Sequence, residues 1–147
     1  VENCGIFGGG IIDGNGRHFG FKKEPDFQRP SQMVHLVESK NIRIQNVELL
    51  NSPYWSCLVI GCENVIISGL RIKNNRNIPN SDGIDMINSQ NVRIGNCFTR
   101  NFDDCIVIKG VMGYDTLNNE NITVENCVVW CDWGGALEIG AETVTLP

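Results

Sequence analysis

The chain has 147 residues, with 12 Lys and Arg against 17 Asp and Glu and a net charge of −5; hydrophobic residues make up 41% and charged residues 20%. That is a globular composition, without the polar bias of a disordered chain. An acidic balance with no Lys/Arg cluster argues against nucleic acid as the main partner, and no apolar run is long enough to span a bilayer.

In chain order, short apolar segments fall at residues 1–7, 10–13 and 33–37, and from there the chain repeats itself. Asn41-Ile-Arg-Ile-Gln-Asn46 recurs as Asn64-Val-Ile-Ile-Ser-Gly69, Asn91-Val-Arg-Ile-Gly-Asn96 and Asn121-Ile-Thr-Val-Glu-Asn126. Each copy alternates apolar and polar residues, the mark of a strand with one buried face. Each ends in Asn or Gly, which tolerate the left-handed backbone of a sharp bend. The next residue (Val47, Leu70, Cys97, Cys127) is apolar in all four copies. A second strand follows at 57–60, 84–87, 106–109 and 137–140, each preceded by a small residue (Ser56, Gly83, Cys105, Ala136).

Short strands bent at Asn or Gly, with a period of roughly 25 residues, predict an all-β chain: a right-handed single-stranded parallel β-helix of five or six coils. Neither end carries a capping unit, so residues 1–147 are expected to be the central coils of one such domain in a longer protein.

Aligning the second strands puts Asp82 of one coil level with Asp104 of the next and with Gly135 of the one after, about one strand spacing (~4.8 Å) apart. Asp103 adjoins Asp104, so three carboxylates gather in one patch. Like charges that close raise at least one pKa, and a raised acid beside an ionised base is what glycosidic hydrolysis requires. Parity puts Asp82 and Asp104 on the side of the inward Ile84 and Ile106. Burying an unpaired carboxylate is costly, so the chain is expected to bend at Gly83 and Cys105.

Asn80-Ser-Asp-Gly-Ile-Asp85 resembles the Asn-Thr-Asp-Gly-x-Asp motif of glycoside hydrolase family 28, the polygalacturonase family. Phe102-Asp-Asp-Cys-Ile-Val-Ile-Lys109 resembles its Asp-Asp-Cys-Ile-Ala-Ile-Lys motif. Gly10-Ile-Ile-Asp-Gly-Asn-Gly16, Arg29-Pro30 and Asn51-Ser-Pro-Tyr-Trp55 look like the family's upstream landmarks. The resemblance implies hydrolysis of a pectin-type polysaccharide with inversion, no metal or other cofactor, and a secreted or periplasmic location. It implies Asp103 as general acid, with Asp82 and Asp104 holding and activating the water. Asn80, Lys109, Trp133 and Glu138 are the candidate substrate-binding residues.

Two departures stand out. The family's Gly-His-Gly reads Gly134-Gly-Ala136 here, so Gly135 replaces His, while Leu137-Glu-Ile-Gly-Ala-Glu142 still resembles the family's Ser-Ile-Gly-Ser-Glu. The family's downstream Arg-x-Lys would lie beyond Pro147; Arg71-Ile-Lys73 comes too early to be it and reads as exposed strand. A neutral glucan hydrolase on the same fold and a non-catalytic carbohydrate-binding β-helix therefore stay open. A polysaccharide lyase is disfavoured, because no Lys or Arg adjoins the Asp cluster in sequence.

Of the seven cysteines, Cys97 and Cys127 fall in the inward column, and Cys57/Cys62 and Cys127/Cys131 are close enough for disulfides. Lys109 points outward by parity, so a surface lysine competes with a role at the substrate. Trp133, near the Gly135 column, is a candidate sugar-stacking platform. Asn121 opens a glycosylation sequon, but its place among the repeat starts is the stronger reading.

Overall fold

The computed structural model describes residues 1–18, 30–111 and 117–144; Arg29 of the Arg29-Pro30 landmark lies outside them. In chain order the strands are β1 (Glu2–Phe7), β2 (Ile11–Asp13), β3 (Val34–Val37), β4 (Lys40–Gln45), β5 (Glu48–Leu50), β6 (Cys57–Ile60), β7 (Glu63–Ser68) and β8 (Arg71–Lys73). They continue as β9 (Ile84–Ile87), β10 (Gln90–Gly95), β11 (Phe98–Asn101), β12 (Ile106–Lys109), β13 (Glu120–Glu125), β14 (Val128–Cys131) and β15 (Leu137–Ile139). One 3-10 turn, Gly16–His18, is the sole helical segment among the described residues. None is long and apolar enough to cross a membrane.

Three parallel five-stranded sheets follow: β1-β4-β7-β10-β13, β2-β5-β8-β11-β14 and β3-β6-β9-β12-β15. Every third strand stacks on its predecessor, which is the right-handed parallel β-helix that the repeats predict. The register is the one the repeats impose. Ile42 pairs with Val65, Val65 with Val92 and Val92 with Ile122, so each apolar side chain sits on its equivalent in the next coil. One continuous core runs down the stack, from Val34 and Ile42 through Ile67 and Ile72 to Ile94 and Ile106.

The bends are built as expected. Asn46, Asn96 and Asn126 have φ of 55°, 55° and 50°, and Gly69 has 65°. The first residue of each repeat is left-handed as well, with Asn41, Asn64, Asn91 and Asn121 between 53° and 57°. Their side chains form an external ladder: the Asn41 amide donates to Asn3 at 2.9 Å, Asn64 to Asn41 at 3.1 Å and Asn121 to Asn91 at 3.0 Å. Asn121 therefore belongs to the repeat.

Two expectations need correction. Each coil has three strands where alternation reveals two. β5, β8 and β11 are only three or four residues long; β5 and β8 each bury one side chain (Leu49, Ile72) and β11 buries two polar ones (Thr99, Asn101), too few apolar positions to show a period. The possible disulfides do not form: all seven cysteines are free. The Cys97 and Cys127 thiols instead donate to the carbonyls of Gly95 and Glu125, both at 3.2 Å.

Candidate active site

The third sheet is buried on both faces where the site lies. Its inward residues belong to the core, and on its outer face Leu58, Ile60 and Ile87 form a second cluster with Trp55 and Val111. This outer cover decides the environment of Asp85 and Lys109, which alternation points outward from β9 and β12.

Asp82 and Asp104 stand just before β9 and β12, level as predicted: the Gly83 N–H donates to the Asp104 carbonyl at 2.8 Å, and the Cys105 N–H to the Gly135 carbonyl at 2.9 Å. The chain does bend there. A side chain at Gly83 would collide with the Cys105 carbonyl and the Asn101 amide. The Asn74 amide fixes the bend by donating to the Ser56 hydroxyl at 2.7 Å and the Ser81 carbonyl at 3.0 Å. Asp82 thus turns away from the core and meets Lys109, its Oδ2 lying 3.7 Å from Nζ.

All seven residues singled out in the sequence line one hollow of about 340 Å³: Asn80, Asp82, Asp103, Asp104, Lys109, Trp133 and Glu138. Asp103 is held by backbone, its Oδ2 accepting from the Asn80 N–H at 3.1 Å and its Oδ1 from the Asp104 N–H at 3.2 Å. Asp104 Oδ1 accepts from the Gly135 N–H at 2.7 Å. Trp133 is 71% exposed and stacks on Phe102, with centroids 5.7 Å apart and planes 7° from parallel. Among the described residues no group of three or more His, Cys, Asp or Glu is arranged to hold a metal ion.

Lys109 is not a surface lysine. Its side chain is 3% exposed and lies within salt-bridge distance of Asp82, Asp85 (3.1 Å) and Glu142 (3.1 Å), with the Trp55 ring 4.1 Å from Nζ. Parity gives its direction correctly; the outer cover is what buries it. A basic residue therefore does adjoin the Asp cluster, contrary to the sequence reading. Burial alone would lower its pKa, but Asp85 and Asp82 outweigh it and raise the pKa above the ordinary lysine value. The two carboxylates thus favour its ammonium form.

Burial shifts the carboxylates too. Asp82 is raised by desolvation, then by the charges of Asp85 and Asp103, with Lys109 opposing. Asp85 is raised by desolvation against the pull of Lys109. Asp103 is raised by desolvation, against the Asn80 N–H that favours its ionised form. Glu138 is raised chiefly by the neighbouring charge of Asp104.

Sequence reasoning missed Asp85, Glu142 and Gly134. A Cβ at Gly134 would lie 2.7 Å from Asp104 Oδ1 and 2.8 Å from Asp103 Oδ1, so this position must be glycine for the two carboxylates to keep their places. At Gly135 the space is partly used: Glu138 Oε2 lies 3.0 Å from where a Cβ would be. Both glycines are visible in the sequence, but the closeness of the approach is not.

The family profile described as Glycosyl hydrolases family 28 matches residues 1–145. The chain belongs to that family. It is 36% identical over 111 residues to a probable polygalacturonase of Vitis vinifera, covering 72% of this chain and 22% of the relative. It is 32% identical over 114 residues to an exopolygalacturonase of Cochliobolus carbonum, covering 74% and 25%. Among solved structures it resembles a hyperthermoactive exopolygalacturonase from Thermotoga maritima, with a TM-score of 0.67 and 30% identity over 74% of this chain and 25% of that one. The polygalacturonase of Erwinia carotovora shares the fold at a TM-score of 0.74 and 23% identity, over 95% and 44%. The chain spans about a quarter of the length of the curated relatives it matches.

Proposed function

We propose that this chain carries the acid–base centre of a glycoside hydrolase that cleaves a pectin-type polysaccharide with inversion. The observation that carries the reading is the convergence of Asp82, Asp103 and Asp104 in one hollow, with a glycine pressed against two of them. Asp103 gives its proton to the glycosidic oxygen as the bond to the anomeric carbon breaks. Asp104 and Asp82 hold a water on the opposite face of that carbon, and the water's proton passes to a carboxylate as the new C–O bond forms. Burial keeps a proton on Asp103 at a pH where an ordinary aspartate has lost it. Lys109 limits the charge that accumulates around Asp82. Membership of the family and the polygalacturonase names of the relatives support the reaction class. A polymer of this kind is met outside the cytoplasm, where we place the protein.

A neutral glucan is the second reading. It is favoured by the five acidic side chains that line the hollow against Lys109, the single cation there among the described residues, and by Gly135 in place of the family's His. The test is to incubate the full-length protein and its Asp103→Asn variant with polygalacturonate, rhamnogalacturonan and neutral glucans, and to count reducing ends. Reducing ends that vanish in the variant support the hydrolase, and the substrate that yields them names the sugar. None from any substrate, with the protein folded, returns the non-catalytic binding reading.

A further inference from the structure

The Asp104 carboxylate is hemmed in by the chain itself. Its Oδ1 takes the Gly135 N–H at 2.7 Å, and its backbone N–H donates to Asp103 Oδ1 at 3.2 Å. A Cβ at Gly134 would lie 2.7 Å from the same Oδ1, so the peptide closes that side. A further neighbour is Glu138, whose carboxyl is in hydrogen-bond contact with that of Asp104.

Register brings Glu138 there. It is the middle residue of β15 and pairs with Val107 of β12, so alternation turns it to the face that Lys109 occupies, into the hollow of the aspartates. It also fills a particular space. Glu138 Oε2 lies 3.0 Å, and Asp104 Oδ1 3.3 Å, from the point where a side chain at Gly135 would begin. This connects two departures of the coil from the family's motifs. A side chain is lost at Gly135, where the motif has His, and a longer one is gained at Glu138, where the motif has Ser. The gained carboxyl stands where the lost side chain would leave the backbone.

Two carboxylates in contact repel unless one of them carries a proton. The surrounding charges decide which. Asp104 and Asp103 face Glu138 from the connection before β12 and raise its pKa, Asp104 the more strongly, while Lys109 at the end of β12 opposes them. Glu142, just beyond β15, is engaged by Lys109 at 3.1 Å. The proton therefore rests on Glu138, and a protonated carboxyl is a donor to its neighbour in a short, charge-assisted hydrogen bond.

We propose that Glu138 is a positioning residue of the acid–base centre: its carboxyl occupies the space left open at Gly135, donates a hydrogen bond to Asp104 and holds that carboxylate toward the water. The inference rests on the hydrolase reading above and deepens it. Glu138 acts through Asp104, in place of the substrate-binding role that the sequence suggests for it.

Titration and turnover test this apart from the hydrolase reading. In the full-length protein, isotope-labelled at its glutamate carboxyls, the Glu138 signal is identified by its loss in Glu138→Gln and titrated by NMR. The titration is repeated in Asp104→Asn, which removes the charge and keeps an oxygen for the Gly135 N–H. The Glu138 titration is expected above the ordinary glutamate range in the wild type and back within it in Asp104→Asn. A titration that Asp104→Asn leaves in place overturns the pair. In steady-state kinetics Glu138→Ala should lower kcat roughly tenfold with KM within about twofold, the loss of one charge-assisted hydrogen bond to a reacting group. Glu138→Gln still donates, and its kcat should lie within about threefold of the wild type. A Gln variant no better than Ala overturns the positioning role, and so does a change confined to KM, which returns Glu138 to substrate binding. A wild type without turnover strikes the hydrolase reading, and the titration still decides the pair.

Discussion

Replacing Lys109 by Met keeps the length of the side chain and removes its charge. In the wild type the ammonium lies 3.1 Å from Asp85 and 3.7 Å from Asp82, whose side chains are 0% and 4% exposed. Neither carboxylate has a substitute: apart from Lys109, Asp82 Oδ1 and both Asp85 oxygens are buried without a hydrogen-bond partner among the described residues. Breaking a buried pair by removing one partner typically costs about 3–5 kcal/mol. For a chain of this size that corresponds to a fall in melting temperature of about 10 °C near pH 7.5. The cost depends on ionisation, and Asp85, raised to about 7, is the partner that changes charge between the two pH values, whereas Asp82, raised to about 9, carries its proton at both; at pH 4 the loss should shrink to about a third of that. Melting followed by circular dichroism at the two pH values makes the comparison, with the double variant Lys109→Met/Asp85→Asn alongside. The double variant should recover at least half of the loss at pH 7.5. Equal losses at both pH values, or a double variant no better than the single one, would refute this account of Lys109 as a charge-compensating strut.

The two glycines of the site should respond differently to the same change. Gly134→Ala drives a Cβ into both Asp103 and Asp104, the Asp104 backbone included, and should lower kcat about a hundredfold with some loss of melting temperature, whereas Gly135→Ala meets the movable tip of Glu138 at 3.0 Å and Asp104 Oδ1 at 3.3 Å and should cost about tenfold or less. Steady-state kinetics on one substrate decides it, and equal effects would remove the close approach as the reason for Gly134. Stability should fall as pH rises above 3.8. Asp82 and Asp85 have native pKa values above that unfolded value, so the native state binds more protons, and their contribution is fully present below 3.8 and is lost through the raised native range. Asp82→Asn should flatten that fall, as melting curves from pH 4 to 8 would show. In the external ladder, Asn41→Ala loses two side-chain hydrogen bonds and a residue suited to a φ of 56°, for about 2 kcal/mol in all. Asn41→Gly restores the backbone preference alone, so by chemical denaturation it should fall between Ala and the wild type.

The fold was legible because its repeat is carried by few, chemically distinctive residues. Asn at the start and Asn or Gly at the end of each six-residue copy bracket two inward aliphatics, and the φ values of Asn41, Asn46, Asn64 and Gly69 confirm why those residue types recur. The three-residue strands could not be seen, since a single inward side chain such as Leu49 has no period. In the site, levelling Asp82 with Asp104 and Gly135 followed from counting along equivalent strands. The burial of Lys109 did not. Alternation says which way a side chain points from a sheet but not what lies over it, and here Trp55, contributed by a preceding coil, supplies the cover. Asp85 was quoted within a motif and given no role for the same reason, because its partner arrives from the next coil.

The connections between strands differ widely in length while the register between strands does not. The chain passes from β5 to β6 through residues 51–56, from β8 to β9 through 74–83, and from β11 to β12 through 102–105, yet Cys57, Ile84 and Ile106 remain paired neighbours. Within 74–83 lie Asn80 and Asp82, which line the hollow of the aspartates. The solenoid thus separates what must be invariant from what is free to vary. Side chains such as the exposed Arg76 and Asn77 can be exchanged in this one excursion with no strand altered, whereas Asn74 and the buried Ile78 beside them belong to the frame.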